Sequence, residues 1–115
     1  MWVTKCILLI PDRFLKINLY DMLTRYKSIK EWCYIYHSDD DGYPIVGPHF
    51  HVYLDFKGSK VNSEWIAKWF KVPEYCVLEC PFDKVTVYTL FTHLFNFQKH
   101  LRQYGYENLI IGKKE

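Results

Sequence analysis

The residues best suited to chemistry are two histidines separated by one residue, within the apolar and aromatic run 47–56 (GPHFHVYLDF). Because side chains alternate between the two faces of a β-strand, His49 and His51 point the same way. Imidazole nitrogens are good ligands for divalent metals, and neighbouring side chains on one face can converge on one ion. The run therefore predicts a metal-binding strand. Its alternative is an amphipathic strand whose solvent face happens to carry two histidines.

The rest of the chain predicts the elements that would position this strand. β-branched and aromatic runs indicate further strands, and apolar residues spaced by three or four indicate helices. Asp12 and Asn62 are candidate helix N-caps. The expected elements are a strand at 2–10, a helix at 12–26, a strand at 31–37, the histidine strand, a short helix after residue 62, a strand at 75–80, a long helix at about 83–102 and a strand at 108–112.

The resulting order, β-α-β-β-α-β-α-β, predicts an α+β domain with a mainly antiparallel sheet covered by helices. Its β-α-β-β-α-β part matches the ferredoxin-like pattern, to which a long C-terminal helix and a last strand are added. The turn at 38–44 (SDDDGYP) predicts an antiparallel hairpin between the strand at 31–37 and the histidine strand. The hairpin would carry the acidic residues of this turn close to the histidines.

Length and composition limit the possible classes of protein. A chain of 115 residues is long enough for one domain, and its 50% of hydrophobic and 19% of aromatic residues argue against disorder. The formal net charge of +2 permits a nucleic-acid partner without demanding one. No apolar run is long enough to cross a membrane, and no secretory signal pattern is present. We therefore expect a soluble protein with no membrane partner.

The cysteines are Cys6, Cys33, Cys76 and Cys80, and no two of them form a Cys-x-x-Cys pair. Buried free thiols are the expected state, because an unpaired cysteine packs as a small hydrophobic residue. A disulfide between Cys6 and Cys33 is the alternative if their strands are neighbours. The missing ligand spacing argues against a structural zinc site built from cysteines.

A His-hydrophobic-His strand in the middle of a ferredoxin-like pattern, preceded by an acidic turn and followed by a tyrosine-bearing helix, resembles the HUH endonucleases. These include rolling-circle replication initiator (Rep) proteins, plasmid relaxases and single-stranded-DNA transposases. The similarity covers nearly the whole chain and is greatest to the small viral Rep proteins of archaeal rod-shaped viruses (rudiviruses). It implies one HUH domain at 1–115 that nicks and joins single-stranded or hairpin DNA to initiate replication, in the cytoplasm of the host cell.

The resemblance implies Mn²⁺ or Mg²⁺ held by His49 and His51, where it would stabilise charge on the scissile phosphate. Because hard cations also prefer oxygen, a carboxylate is expected to complete the site. The family often takes this ligand from the end of the preceding strand, which indicates Asp40 first. The other candidates there are Asp39, Asp41 and His37. The alternative for the acidic cluster is a solvated turn.

The resemblance also implies a tyrosine nucleophile on the last long helix, leaving a 5′-phosphotyrosine and a free 3′-hydroxyl. Two tyrosines compete for this role. Tyr88 lies near the start of the predicted helix, and Tyr104 lies at its end, directly before the last strand. Tyr104 is favoured, because a tyrosine followed by a strand resembles the Rep proteins of circular single-stranded-DNA viruses. The alternative is that either tyrosine merely packs in the core.

The chain departs from the Tyr-x-x-Lys pattern of many Rep proteins. Lys99 and His100 lie about one helical turn before the favoured tyrosine and could replace the missing lysine. Lys99 and Arg102 are the candidate DNA contacts in the basic second half of the chain. A symmetric homodimer is expected, in which the tyrosine of one subunit could reach the metal of the other.

The competing interpretation is a non-catalytic module that binds single-stranded nucleic acid. Ferredoxin-like sheets with aromatic faces also bind single strands, by stacking on the bases. Such a module would bind without divalent metal and would tolerate the loss of both histidines. The fold pattern does not separate the two functions.

Overall fold

A five-stranded antiparallel sheet forms the centre of the molecule. The computed structural model describes residues 1–38, 47–93 and 104–114. In chain order, the elements of this part are β1 (Trp2–Val3), β2 (Lys5–Pro11), a 3-10 turn (Asp12–Phe14), α1 (Leu19–Arg25), β3 (Glu31–His37), β4 (His49–Asp55), β5 (Val61–Asn62), α2 (Ser63–Phe70), a 3-10 turn (Glu74–Cys76), β6 (Val77–Glu79), α3 (Lys84–Thr92), a 3-10 turn (Tyr106–Asn108) and β7 (Ile110–Lys113).

The strands of the large sheet lie in the order β6-β2-β4-β3-β7, and every neighbouring pair is antiparallel. Strands β1 and β5 pair separately as a small second antiparallel sheet. The α+β class and the antiparallel sheet are therefore confirmed, and the arrangement is compatible with a ferredoxin-like fold. The predicted hairpin is present, since β3 pairs with β4 along its whole length, with His37 opposite His49.

Both faces of the sheet are covered, and strand β4 shows why. Its side chains alternate, so Val52 and Leu54 enter a core that they share with α1 and α2. Tyr53 points to the other face and enters a second core with Val87 and Phe91 of α3. The histidines share the face of Tyr53, which we call the histidine face. This places them beneath α3 and the C-terminal segment.

The N-terminal half departs from the predicted elements in two places. The strand expected at 2–10 is divided at Thr4, because residues 2–3 pair with β5 whereas residues 5–11 pair with β4. The helix expected at 12–26 begins only at residue 19, where the side chain of Asn18 accepts a hydrogen bond from the Asp21 amide at 3.0 Å. The predicted N-cap Asn62 is confirmed, since its side chain accepts from the Glu64 amide at 2.9 Å.

Helix α3 is much shorter than the helix expected at 83–102. It begins after Asp83, whose side chain accepts from the Thr86 amide at 2.8 Å, and its last residue is Thr92. His93 then adopts a left-handed backbone conformation with a φ of 57°, which closes the helix. Residues 94–103 lie outside the described part of the chain. Tyr104 belongs to no helix; its amide donates to the Thr92 carbonyl at 2.8 Å.

The cysteines are free, and the possible Cys6–Cys33 disulfide is wrong. Strand β4 separates the strands that carry these two residues, and Cys6 lies in the α1–α2 core whereas Cys33 lies in the core beneath α3. The two thiols are therefore on opposite faces of the sheet. Among the residues that the structure describes, none of the helices has the length and apolar character needed to cross a membrane.

Candidate metal centre

Three histidines meet at one end of the β3–β4 hairpin. His49 and His51 come from β4, and His37 is the last residue of β3, directly opposite His49 in the antiparallel register. One ligand atom from each ring lies within 4.8 Å of the others. His37 and His49 are buried, and His51 is the least buried of the three. The three imidazoles can therefore act together on one divalent ion, and the pair expected from the sequence becomes a trio.

Backbone carbonyls fix the orientation and tautomer of two of these rings. Nδ1 of His49 donates to the Gly47 carbonyl at 2.7 Å, and Nε2 of His37 donates to the Phe91 carbonyl at 2.7 Å. A carbonyl can only accept, so these nitrogens carry the protons in the neutral rings. The lone pairs are then left on Nε2 of His49 and Nδ1 of His37. Ligating histidines are commonly held by such outer hydrogen bonds.

The spacing of the ring nitrogens is close to that of two ligands on one ion. Nε2 of His49 and Nε2 of His51 are 3.1 Å apart. Two nitrogens bound at about 2.1 Å to one ion lie roughly 3.0–3.4 Å apart at octahedral to tetrahedral angles. The ligand atom of His37 lies within 4.8 Å of the other two. The β4 pair is therefore already at the spacing of two ligands on one ion, and His37 is the nearby third ligand.

Aromatic rings line the centre. Burial lowers the pKa of His51 well below its usual value, and the charges of His37, His49 and His93 would lower it further. The Phe91 ring lies 5.3 Å from that of His51. Because protons compete with metals for imidazole nitrogen, a lowered pKa keeps the ligand available at neutral pH.

Tyr104 contacts this centre directly. Its ring is stacked on that of His37, with the centroids 4.5 Å apart and the planes inclined by 12°. The His93 ring meets it edge-on at 5.9 Å. Tyr104 is 5% exposed. The favoured tyrosine is thus placed beside the histidines by a backbone hydrogen bond to the end of α3, and not by a continuous helix.

Tyr88 faces a different part of the sheet. It is half-buried against the core beneath α3. Burial raises the pKa of Tyr88, and so do the nearby Cys33 and Glu31. These two neighbours precede His37 on β3 by four and six residues, which corresponds to roughly 13–20 Å along a strand. Of the two candidate tyrosines, only Tyr104 contacts a histidine of the trio.

Several predicted site residues lie outside the described part of the chain. These are Asp40 with its neighbours Asp39 and Asp41, and the candidate DNA contacts Lys99 and Arg102, together with His100. Their roles stay predictions. No carboxylate joins the trio among the described residues. The ligand set that the structure brings together is therefore composed of nitrogen.

Sequence reasoning ranked His37 behind Asp40 as the additional metal ligand and did not include His93 in the site. The predicted hairpin could have indicated His37. In a hairpin whose strands pair without an offset, the last residue of the first strand lies opposite the first residue of the second. His93 carried a weaker signal as a histidine near the end of an amphipathic stretch. Its ring lies 4.6 Å from that of His37.

Neither a comparison with protein-family models nor one with curated protein sequences finds a match to this chain.

Proposed function

We propose that this protein is a metal-dependent endonuclease of the HUH type, which nicks and joins single-stranded or hairpin DNA through a covalent tyrosine intermediate. Tyr104 is the nucleophile, and His37, His49 and His51 hold the metal. The viral Rep proteins are the relatives that this proposal implies, with initiation of DNA replication as the role. A ferredoxin-like core with the strand order given above suits the proposal.

One observation carries the proposal. A buried tyrosine stacks on a histidine that belongs to a three-histidine cluster, and a hydrogen bond between the Tyr104 amide and the Thr92 carbonyl holds it there. A tyrosine nucleophile needs a phosphate between its oxygen and a charge-stabilising group. A structural tyrosine would have no need of a neighbouring metal-ligand set. The combination favours catalysis over packing alone.

The donor set also bears on the choice of metal. Mg²⁺ prefers oxygen ligands in near-ideal octahedral geometry, so three imidazoles alone fit it poorly. Imidazole suits first-row transition ions, which favours Mn²⁺ over Mg²⁺ at this site and makes Zn²⁺ a competitor. If Asp40 joins the site, its oxygen would shift this preference towards Mn²⁺ or Mg²⁺. When bound, the metal would supply positive charge next to the non-bridging phosphate oxygens.

The residues of the chain have separate tasks in this mechanism. The Tyr104 phenolic oxygen forms a bond to the phosphorus while the bond from phosphorus to the 3′-oxygen breaks. The phenol loses its proton, and the departing 3′-oxygen gains one. Rejoining reverses these bond changes, with the 3′-hydroxyl as the attacking group. The carbonyls of Gly47 and Phe91 keep two histidine rings oriented throughout.

The test is adduct formation on a randomised pool of single-stranded and hairpin DNA with Mn²⁺. Half of the pool carries a 3′ label and half a 5′ label. A 5′-phosphotyrosine predicts labelled protein with the 3′-labelled DNA only, and free shortened strands with the 5′-labelled DNA. We expect Tyr104→Phe and His51→Ala to abolish the adduct. Tyr88→Phe is the matched control and should keep it.

Two results would contradict the proposal in different ways. An adduct that survives in Tyr104→Phe and disappears in Tyr88→Phe would reassign the nucleophile. A protein that binds the pool equally well with and without metal, and never forms an adduct, would be the non-catalytic single-strand-binding module. A gel-filtration measurement on the same samples would test the proposed homodimer.

A further inference from the structure

A cavity of about 260 Å³ opens at the β6 edge of the large sheet. Its walls come from β2, the 3-10 turn that follows it, and the segment that leads into β6. They include Leu9, Pro11, Arg13, Phe14, Tyr75 and Leu78. The cavity is therefore built mainly from apolar and aromatic groups, with one cationic side chain.

The strand register ties this cavity to the histidines. Leu9 pairs with His51 and Pro11 pairs with His49 across the β2–β4 ladder. Paired residues of an antiparallel ladder lie on the same face, with Cα atoms about 4.5–5.5 Å apart. One wall of the cavity is thus a single strand away from two of the metal ligands. A molecule bound at the metal centre would therefore be able to place an adjoining group in this cavity.

The walls favour a flat aromatic ligand. The rings of Phe14 and Tyr75 are 6.5 Å apart and inclined by 70°, and Tyr75 is 70% exposed. The Arg13 guanidinium lies over the Phe14 ring, 5.0 Å from its centroid. None of the wall residues that the structure describes is acidic. Bases stack on aromatic rings and on guanidinium planes, and arginine also pairs with phosphate.

The size of the cavity points to a single ring system. Pockets for drug-sized ligands span about 300–1,000 Å³, and this cavity lies just below that range. A chain of bases would need a longer groove. The cavity therefore suits one base, with the sugar and phosphate left outside near Arg13.

We propose that this cavity takes up one nucleobase of single-stranded DNA, next to the phosphate held at the metal centre. This inference rests on the proposed nuclease function and adds to it a base-binding subsite. Tyr75 supplies the main stacking surface, and Arg13 supplies the positive charge at the rim. The subsite would fix the register of the strand, because a base seated here sets which phosphate can reach the histidines.

The experiment compares two fluorescent oligonucleotides of equal length and charge, one of thymidine and one in which every base is replaced by an abasic site. Binding is measured by anisotropy in EDTA, so that cleavage does not contribute. The wild type should bind the thymidine strand more tightly. Tyr75→Ala should weaken that binding about tenfold, since one stacked base contributes about 1–3 kcal/mol, and should leave binding of the abasic strand unchanged.

Two further variants separate stacking from general effects. Tyr75→Phe keeps the ring and should keep the preference for bases. Trp65→Ala removes another exposed aromatic ring, which lies on α2 and does not line the cavity, and should change neither affinity. The subsite is wrong if Tyr75→Ala behaves like Trp65→Ala, or if the wild type binds both strands equally.

The outcomes also distinguish this inference from the nuclease proposal. If Tyr75→Ala loses the preference for bases but wild type forms no adduct with any DNA, the base pocket stands and the nuclease falls. If wild type forms the adduct and Tyr75→Ala binds thymidine DNA normally, the nuclease stands and the base pocket falls.

Discussion

Strand β3 carries a buried polar side chain at each end of the histidine face, and the two ends satisfy these groups in opposite ways. At its start, Glu31 is 5% exposed and lies among three lysines. Its carboxylate oxygens are 3.1 Å from Nζ of Lys57 and 3.8 Å from Nζ of both Lys84 and Lys113. At its end, His37 is fully buried and lies among other rings. One end is surrounded by ammonium groups, and the other by aromatic rings.

The difference decides which end can bind a cation. Burial raises the pKa of Glu31, but the hydrogen bond from Lys57 and the charges of the three lysines lower it by more, so the pKa lies below its usual value. Three ammonium groups surround the carboxylates of Glu31 and Asp55, so this end keeps an excess of positive charge and would repel a metal ion. The imidazoles at the other end offer ring nitrogens that can bind a metal ion. The same face of the sheet thus has one end with an excess of positive charge and one end that can accept a cation.

Removing a metal ligand should give the largest effect, and it tests the difference between the two ends of β3 most directly. We expect His51→Ala to weaken Mn²⁺ binding by more than about 100-fold, because the loss of outer-shell support alone costs 10–100-fold. Isothermal titration calorimetry with Mn²⁺ and with Zn²⁺ measures this change. Glu31→Gln, at the other end of β3, is the control and should leave the affinity unchanged. Equal binding by His51→Ala and wild type would exclude the trio as the metal site.

Disturbing the carbonyl that holds His49 should give a smaller effect. Gly47 has a φ of +64°, which an alanine adopts only with strain. We expect Gly47→Ala to weaken Mn²⁺ binding about tenfold, since its carbonyl accepts the His49 Nδ1 proton.

Gly58→Ala is the matched control for this variant. Gly58 has a φ of +87°, and an added Cβ would meet no atom within 4 Å at either position. Both variants should lose about 1 kcal/mol of stability in chemical denaturation, but only Gly47→Ala should lose metal affinity. An equal loss of metal affinity in both would assign the effect to strain alone.

The charged end should respond to pH. The pKa of Glu31 is lowered in the folded state by the three lysines. Its carboxylate therefore stabilises the fold above the unfolded-state pKa, and this contribution disappears as pH falls through the folded-state pKa. We expect Glu31→Gln to cost about 1 kcal/mol at pH 7, after allowance for lysines that are half exposed or more.

The measurement is the free energy of unfolding of wild type and Glu31→Gln by urea denaturation from pH 7 down to pH 3. The difference between the two proteins should shrink once the pH falls below about 4.5. A difference that stays constant over this range would mean that the amide loses packing or hydrogen bonds, and that the charge contributes little.

The smallest effect on stability is expected for the most exposed of the three lysines around Glu31. The side chain of Lys113 is 69% exposed, and that of Lys57 is 52% exposed and closer to the carboxylate. We expect Lys113→Ala to change the free energy of unfolding by at most about 0.5 kcal/mol, and Lys57→Ala to cost more. Both changes should diminish in high salt. The reverse order in urea denaturation would show that distance and exposure do not rank these pairs.

The features that the sequence determined by itself depend on interactions between residues that are close together in the chain. The alternation of β4 places His49 and His51 on one face because side chains of a strand repeat every two residues. The cap Asn62 is readable because its side-chain oxygen acts on an amide two residues away. The antiparallel hairpin follows from the short connection between its strands. These features need no distant part of the chain.

The tertiary structure alone decided how the site is composed. His37 joins the pair because the β3–β4 register sets it opposite His49, and no local pattern fixes that register. The predicted long helix ends at Thr92 because His93 turns left-handed, and Tyr104 reaches His37 through an amide bonded to the Thr92 carbonyl. A sequence window spans a few residues, whereas these contacts join residues 37, 49, 92 and 104, so only the folded chain brings them together.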